Sequence, residues 1–104
     1  MGIRVEHALV VVSPDEAAEL EELTASVDGA SEPVGARPFD GVVVVQAEIP
    51  LTAAAVAILK DWVKARFEQK KSQTVVVRGA KFMGYSADEI RELFAWLDKE
   101  LTQS

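Results

Sequence analysis

The 104-residue sequence predicts a single α+β (or α/β) domain, in which three helices pack on a sheet of three or four strands. Three observations predict this class. The sequence contains short runs of β-branched residues, it carries apolar residues at helical spacing between those runs, and helix-start signals precede its helical segments. The predicted order is β-α-β-α-β-α, with or without a short extra strand before the last helix.

The first strand is predicted over Ile3–Val12, because this segment ends in an unbroken run of apolar residues. Such a run is typical of a strand that is covered on both faces, so we expect a central position in the sheet. The Ser-Pro-Asp-Glu sequence at 13–16 then predicts a helix start with serine as the N-cap and glutamate completing a capping box. The helix is predicted to continue to about Val27.

The segment Asp28–Phe39 is predicted to be mainly a loop, because glycine and proline occur there repeatedly. A short extended piece is predicted within it at Val34–Arg37. Loops of this length in compact domains are often functional, so this segment is a candidate cover for a ligand pocket.

A strand, a helix and a strand are predicted within Asp40–Arg78. The strands are Gly41–Ile49 and Gln73–Arg78, each with a run of valines, and the helix between them lies within Leu51–Lys71 and starts at Thr52. A parallel pair of strands joined by a right-handed helical crossover is the simplest arrangement of these elements.

The end of the chain predicts a short edge strand at Lys81–Met83 and a final helix. Ser86–Glu89 form a second capping box at the start of that helix. Its buried residues are predicted to be Ile90, Leu93, Phe94, Leu97 and Leu101. Residues 102–104 are expected to fray.

Composition excludes several classes of function. The sequence has no cysteine, which excludes disulfide scaffolds, thiolate metal sites and cysteine catalysis, and fits a reducing compartment. It shows neither a signal peptide nor an apolar run long enough for a membrane span, so we expect a soluble, cytoplasmic protein without a membrane partner. The net charge of −6 argues against nucleic-acid binding, although the second half of the chain carries a net +2.

No catalytic, cofactor-binding or metal-binding set is predicted. His7 is the only histidine, and no nucleophile motif accompanies it. The paired carboxylates at Glu21–Glu22 and Asp88–Glu89 lie on helix faces that we expect to be exposed. We therefore expect a non-enzymatic protein.

The candidate interaction surface combines off-stripe aromatic residues with basic ones. Two tryptophans sit beside, and not within, the apolar stripes of their helices, which favours a protein interface but also fits packing at the edge of the core. The residues of this predicted surface are Trp62, Trp96, Lys60, Lys64, Phe82 and Tyr85.

The helix at Leu51–Arg66, the strand at Thr74–Arg78 and the segment Gly84–Ile90 together resemble the effector-associated constant component domains, small α+β proteins of bacterial conflict systems. The resemblance covers about half of the chain and consists of pattern features, without a diagnostic motif. The helix departs from the family in lacking its glycine-rich, more hydrophobic start. The resemblance implies a non-enzymatic adaptor that links an effector to a partner, and it transfers no functional residues.

The sequence therefore predicts a small protein-interaction module, in a bacterial defence or signalling system by the resemblance. An exposed sheet edge could pair with a second copy, so we also expect a homodimer. The alternative is a ligand-binding or enzyme-accessory domain, with a pocket near the 28–39 loop lined by His7, Arg37 or Tyr85.

Overall fold

A computed structural model describes residues 6–39, 42–71, 73–83 and 86–102, without the side chains of residues 36–39, 42 and 102. The strands are β1 (His7–Val12), β2 (Val34–Phe39), β3 (Val42–Pro50), β4 (Thr74–Val77) and β5 (Ala80–Phe82). The helices are α1 (Ala17–Ala25), α2 (Ala53–Glu68) and α3 (Ala87–Thr102), and a 3-10 turn at Pro14–Glu16 precedes α1. The predicted strand starts at residues 3–5 and at Gly41 lie outside the described residues, as do residues 103–104.

The strands form one five-stranded sheet in the order β2-β3-β1-β4-β5, and all neighbouring strands are antiparallel. β3 and β4 both run antiparallel to β1, which lies between them, so they are parallel to each other without being neighbours. The same relation holds for β1 and β2 on either side of β3. Two interleaved split βαβ units of this kind make the ferredoxin-like arrangement, which β5 and α3 extend here.

The predicted α+β class, with three helices on one sheet, is confirmed, but the sheet has five strands where three or four were expected. The additional strand is β2, which occupies the segment predicted to be mainly a loop. Its extended piece, predicted at Val34–Arg37, continues to Phe39 and pairs with β3. The two strands joined by α2 are parallel as predicted, but they do not form a hydrogen-bonded pair, because β1 is inserted between them.

The three helices form a layer on one face of the sheet. α2 contacts both α1 and α3, while α1 also packs on β3 and α3 on β5. Alternate residues of the central strands point into this interface, so β1 buries Ala8, Val10 and Val12. The largest fully buried side chains of the core are Ile49 of β3 and five leucines of the helices: Leu20, Leu23, Leu59, Leu93 and Leu97.

The expectation that β1 is covered on both faces is wrong. Leu9 and Val11, between the buried residues, are only half-buried, and His7 is exposed. The run of apolar residues in β1 therefore supplies both the core and the outer face of the sheet. β1 does occupy the predicted central position.

The helix starts differ from one another. Thr52 Oγ1 accepts a hydrogen bond from the Ala55 N–H at 3.2 Å, and Ser86 Oγ accepts one from the Glu89 N–H at 3.2 Å, so these predicted caps form. The Ser13 hydroxyl makes no capping bond to the backbone. The chain instead forms the 3-10 turn, and α1 ends at Ala25, two residues before the predicted end near Val27.

Candidate functional site

The outer face of the sheet, opposite the helices, is the candidate functional site and is called the open face below. In the described part of the chain its side chains are half-buried or exposed, except for the buried Pro50 at its end, which contrasts with the buried residues one position away on β1, β3, β4 and β5. The strand register assigns the following residues to it: His7, Leu9, Val11, Val34, Val44, Gln46, Glu48, Thr74, Val76 and Lys81.

The centre of the open face is apolar. Leu9 and Val11 of β1 lie beside Val76 of β4, and Val44 continues the surface on β3. Val34 on β2 is 54% exposed and stands opposite Gln46. Leu9, Val11 and Val76 form one contiguous apolar group on β1 and β4, whereas Gln46 separates Val11 from Val34. Single exposed valines are common, but a contiguous exposed apolar group is a feature of binding surfaces.

Charged residues flank this apolar centre in one register row. Leu9 pairs with Glu48 on one side and with Val76 on the other, and Val76 pairs with Lys81. The row therefore reads Glu48, Leu9, Val76, Lys81 across β3, β1, β4 and β5. The acid and the base are separated by two apolar positions.

One end of the open face is concave, with a volume of about 450 Å³. The concavity combines two acidic side chains, one arginine and the only histidine with two apolar residues of the sheet. Its lining residues are Glu6, His7, Leu9, Glu48, Val76, Arg78 and Gly79. These described residues include no hydroxyl, thiol or amine side chain, and their potentially nucleophilic groups are the imidazole of His7 and the carboxylates of Glu6 and Glu48.

The rim of the concavity is built by the tight turn between β4 and β5. Arg78 and Gly79 both have positive φ, 49° and 82°, as a two-residue turn that matches the twist of the strands requires. Arginine is an uncommon residue at the first of these positions, which favours asparagine, aspartate or glycine. Its Nε lies 2.7 Å from a carboxylate oxygen of Glu100, which is only 6% exposed, and this contact ties the rim to α3.

The structure places His7 in the concavity of the open face. A separate concavity of about 430 Å³ lies next to the first part of the 28–39 loop. Its described lining residues are Glu21, Thr24, Ala25, Ala30, Ser31, Glu32 and Pro33. The Arg37 side chain and Tyr85 lie outside the described residues, so the predicted pocket of His7, Arg37 and Tyr85 stays a prediction.

The predicted surface residues on α2 contact neighbouring helices. Trp62 Nε1 donates a hydrogen bond to the backbone carbonyl of Glu19 in α1 at 3.2 Å. Lys60 faces the other side, where its Nζ lies 2.6 Å from Asp98 and 5.4 Å from the ring centre of Phe94, both in α3. These two side chains therefore connect α2 to α1 on one side and to α3 on the other.

Of the remaining predicted surface residues, Trp96 and Lys64 lie in the helix layer and Phe82 lies on β5. Trp96 is 36% exposed, and its ring meets the buried Phe82 ring edge-on with 5.8 Å between the ring centres. Lys64 is exposed on α2, and Tyr85 lies outside the described residues. The five described residues do not share one exposed surface, because Phe82 is buried and Lys60 and Trp62 face opposite sides of α2.

An ion cluster in the helix layer was not predicted from the sequence. Arg66 is 2% exposed and binds the carboxylates of Glu16 and Glu19, while its Nε donates to Gln73 Oε1 at 2.9 Å. Its guanidinium carbon lies 4.9 Å from the ring centre of Trp62. The signal was present in the helical spacing, because Arg66 follows Leu59 and Val63 on the buried stripe of α2.

Neither edge of the sheet presents a long, regular strand. β2 has an irregular register between Ala36 and Phe39 and contains Pro38, and β5 is only three residues long with Lys81 at its centre. Bulges, proline, short length and lysine are all features that disfavour pairing at a sheet edge. The open face therefore offers the larger regular surface.

Comparisons with known proteins found no matching family model, no similar curated protein and no similar solved structure. Among the described residues, no group of three or more histidine and carboxylate side chains could hold a metal ion. No helix in this part of the chain has both the length and the apolar character needed to cross a membrane.

Proposed function

We propose that this protein is a non-enzymatic interaction module that binds another protein surface on its open face. The observation that carries the proposal is the apolar centre of that face, formed by Leu9 and Val11 on the central strand β1 and by Val76 on β4, with Val44 further along β3. Burial of such a centre contributes about 25 cal/mol per Å² of apolar area, which favours association.

The proposal keeps the predicted adaptor role but moves the docking surface. The helix-layer residues Lys60 and Trp62 are already engaged with neighbouring helices, so they are poorer anchors for a partner than the open face. The bacterial defence setting is supported by the sequence resemblance alone, and the cytoplasmic location by the cysteine-free sequence. Both are part of this proposal.

The test is affinity capture from a lysate of the source organism, with one variant on each face of the protein. Leu9→Lys places a charge in the centre of the open face, whereas Trp96→Ala removes the exposed aromatic ring of the helix layer. We expect a partner recovered by the wild type to be lost with Leu9→Lys and kept with Trp96→Ala. The opposite pattern, with both variants folded by circular dichroism, would contradict the proposal.

A second candidate function is the binding of a small ligand near the 28–39 loop. The concavity beside residues 30–33 supports it, because it places Glu32 and Thr24 around one space. A compound that raises the unfolding temperature of the wild type, but not that of a Glu32→Lys variant, would establish this function.

A further inference from the structure

The open face has a charge order that is complementary to itself. The register row across β3, β1, β4 and β5 reads Glu48, Leu9, Val76, Lys81. Consider a second copy whose open face is turned toward the first. A two-fold axis runs parallel to the strands, midway between the two sheets and above the gap between β1 and β4. Rotation by half a turn about this axis reverses the order of the row. Glu48 then stands opposite Lys81 of the second copy, and Leu9 stands opposite its Val76.

We propose that the partner of the open face is a second copy of this chain, packed sheet against sheet about this two-fold axis. The inference rests on the proposed function and specifies which protein binds to the open face. A closed two-fold interface uses the same patch on both copies, so both acid–base pairs form at once and both apolar positions are covered. Stacked sheets lie about 10 Å apart, a gap that a glutamate and a lysine side chain together can span.

The size of the patch predicts a weak dimer. The strands β3, β1, β4 and β5 have 9, 6, 4 and 3 residues, which at about 4.8 Å between strands and about 3.3 Å per residue project to roughly 350 Å² on each copy. The corrugated accessible surface is larger than this projection, so the total approaches about 1,000 Å², the lower limit for a specific interface. Interfaces of this size belong to weak, transient complexes, and a dissociation constant on the order of 10 μM is the value that the experiment is designed to bracket.

The two charges allow a test by reversal. Glu48 and Lys81 lie three strand spacings apart within one chain, or about 14 Å, so they do not pair with each other. Glu48→Lys alone, or Lys81→Glu alone, makes both contacts between the copies repulsive. The double variant Glu48→Lys/Lys81→Glu makes them attractive again, as does an equal mixture of the two single variants.

The experiment is sedimentation velocity between about 1 and 200 μM, a range that brackets the expected dissociation constant. We expect the wild type to dimerise and each single variant to bind itself about tenfold more weakly. The double variant and the mixture should recover dimerisation. The controls Lys64→Glu and Glu92→Lys reverse exposed charges on the helix layer. Each control variant, and an equal mixture of the two, should have the same dissociation constant as the wild type.

Two results would overturn the inference. One is a wild type that stays monomeric throughout this range, and the other is a dimer that neither single reversal weakens, which would place the contact elsewhere, for example at a sheet edge. The proposed function is judged separately, since a monomer whose captured partner is lost with Leu9→Lys still uses the open face for a different protein. A monomer whose captures are insensitive to Leu9→Lys contradicts both.

Discussion

At the scale of single residues, Arg66 joins the last turn of α2 to the start of α1. It is buried on α2 and binds Glu16 and Glu19, which lie at and near the start of α1. Loss of one partner from a buried ion pair leaves the other charge uncompensated. Because both carboxylates are partly exposed, we expect Arg66→Ala to lower the free energy of unfolding by about 3 kcal/mol, at the lower end of the range for buried pairs. Urea unfolding measures this change.

Two variants on the same helix act as controls for this prediction. Arg66→Lys keeps the charge but loses the planar fork that reaches several acceptors, so its loss should be intermediate. Lys64→Ala removes an exposed charge and should change the free energy of unfolding by less than about 0.5 kcal/mol. Equal effects of Arg66→Ala and Lys64→Ala would show that the buried cluster contributes nothing to stability.

Substitution by alanine is expected to change the free energy of unfolding in opposite directions at two glycines. Gly79 has a φ of 82° in the turn that forms the rim of the concavity, and a Cβ there would meet no atom within 4 Å. Gly79→Ala should therefore lower the free energy of unfolding by about 1 kcal/mol through backbone strain alone. Gly35 on β2 also has open space around it but lacks a positive φ.

Gly35→Ala should be neutral or stabilise by up to about 1 kcal/mol, because it restricts the unfolded chain without straining the folded one. Thermal unfolding of both variants beside the wild type checks the pair. If Gly79→Ala were as stable as Gly35→Ala, the turn would not require the left-handed backbone.

At the scale of elements, the three helix starts have the same type of sequence but different structures. Thr52 caps α2 through its side chain, whereas the hydroxyl of Ser13 makes no capping bond. We expect Thr52→Ala to lower the free energy of unfolding by about 1 kcal/mol, and Ser13→Ala by less than about 0.5 kcal/mol. Chemical denaturation distinguishes them, and Ser86→Ala should match Thr52→Ala. A loss at Ser13 as large as that at Thr52 would contradict the assignment of the 3-10 turn.

Several elements could be predicted from sequence because their signals are local. The apolar spacing of α2 and the valine runs of β3 and β4 depend on near neighbours, and all three elements form. The lateral position of β1 between β3 and β4 depends on contacts between distant segments, which no local pattern records. β2 was missed as a full strand because Gly35 and Pro38 are typical of loops, although an edge strand tolerates both.

The open face was missed for a related reason. An unbroken apolar run predicts burial on two faces, and the sequence of β1 does not show that the second face carries no helix. The tryptophans instead predicted an interaction surface on the helix layer, where Trp62 donates its N–H to the backbone of α1. Glu48 and Lys81 are 33 positions apart in the chain, and only the strand register shows that they lie in one row across the sheet.

At the scale of the whole molecule, self-association links stability to protein concentration. A folded dimer is stabilised by mass action, whereas an isolated folded chain is not, so the midpoint of thermal unfolding should rise with concentration. Between about 2 and 200 μM we expect a rise of about 5 °C, because a dimer with a dissociation constant near 10 μM gains about 1 kcal/mol per chain over this range. Glu48→Lys should show a nearly constant midpoint, while Lys64→Glu should follow the wild type. A midpoint independent of concentration in all three chains would mean that the open face of this domain is not covered by a second copy.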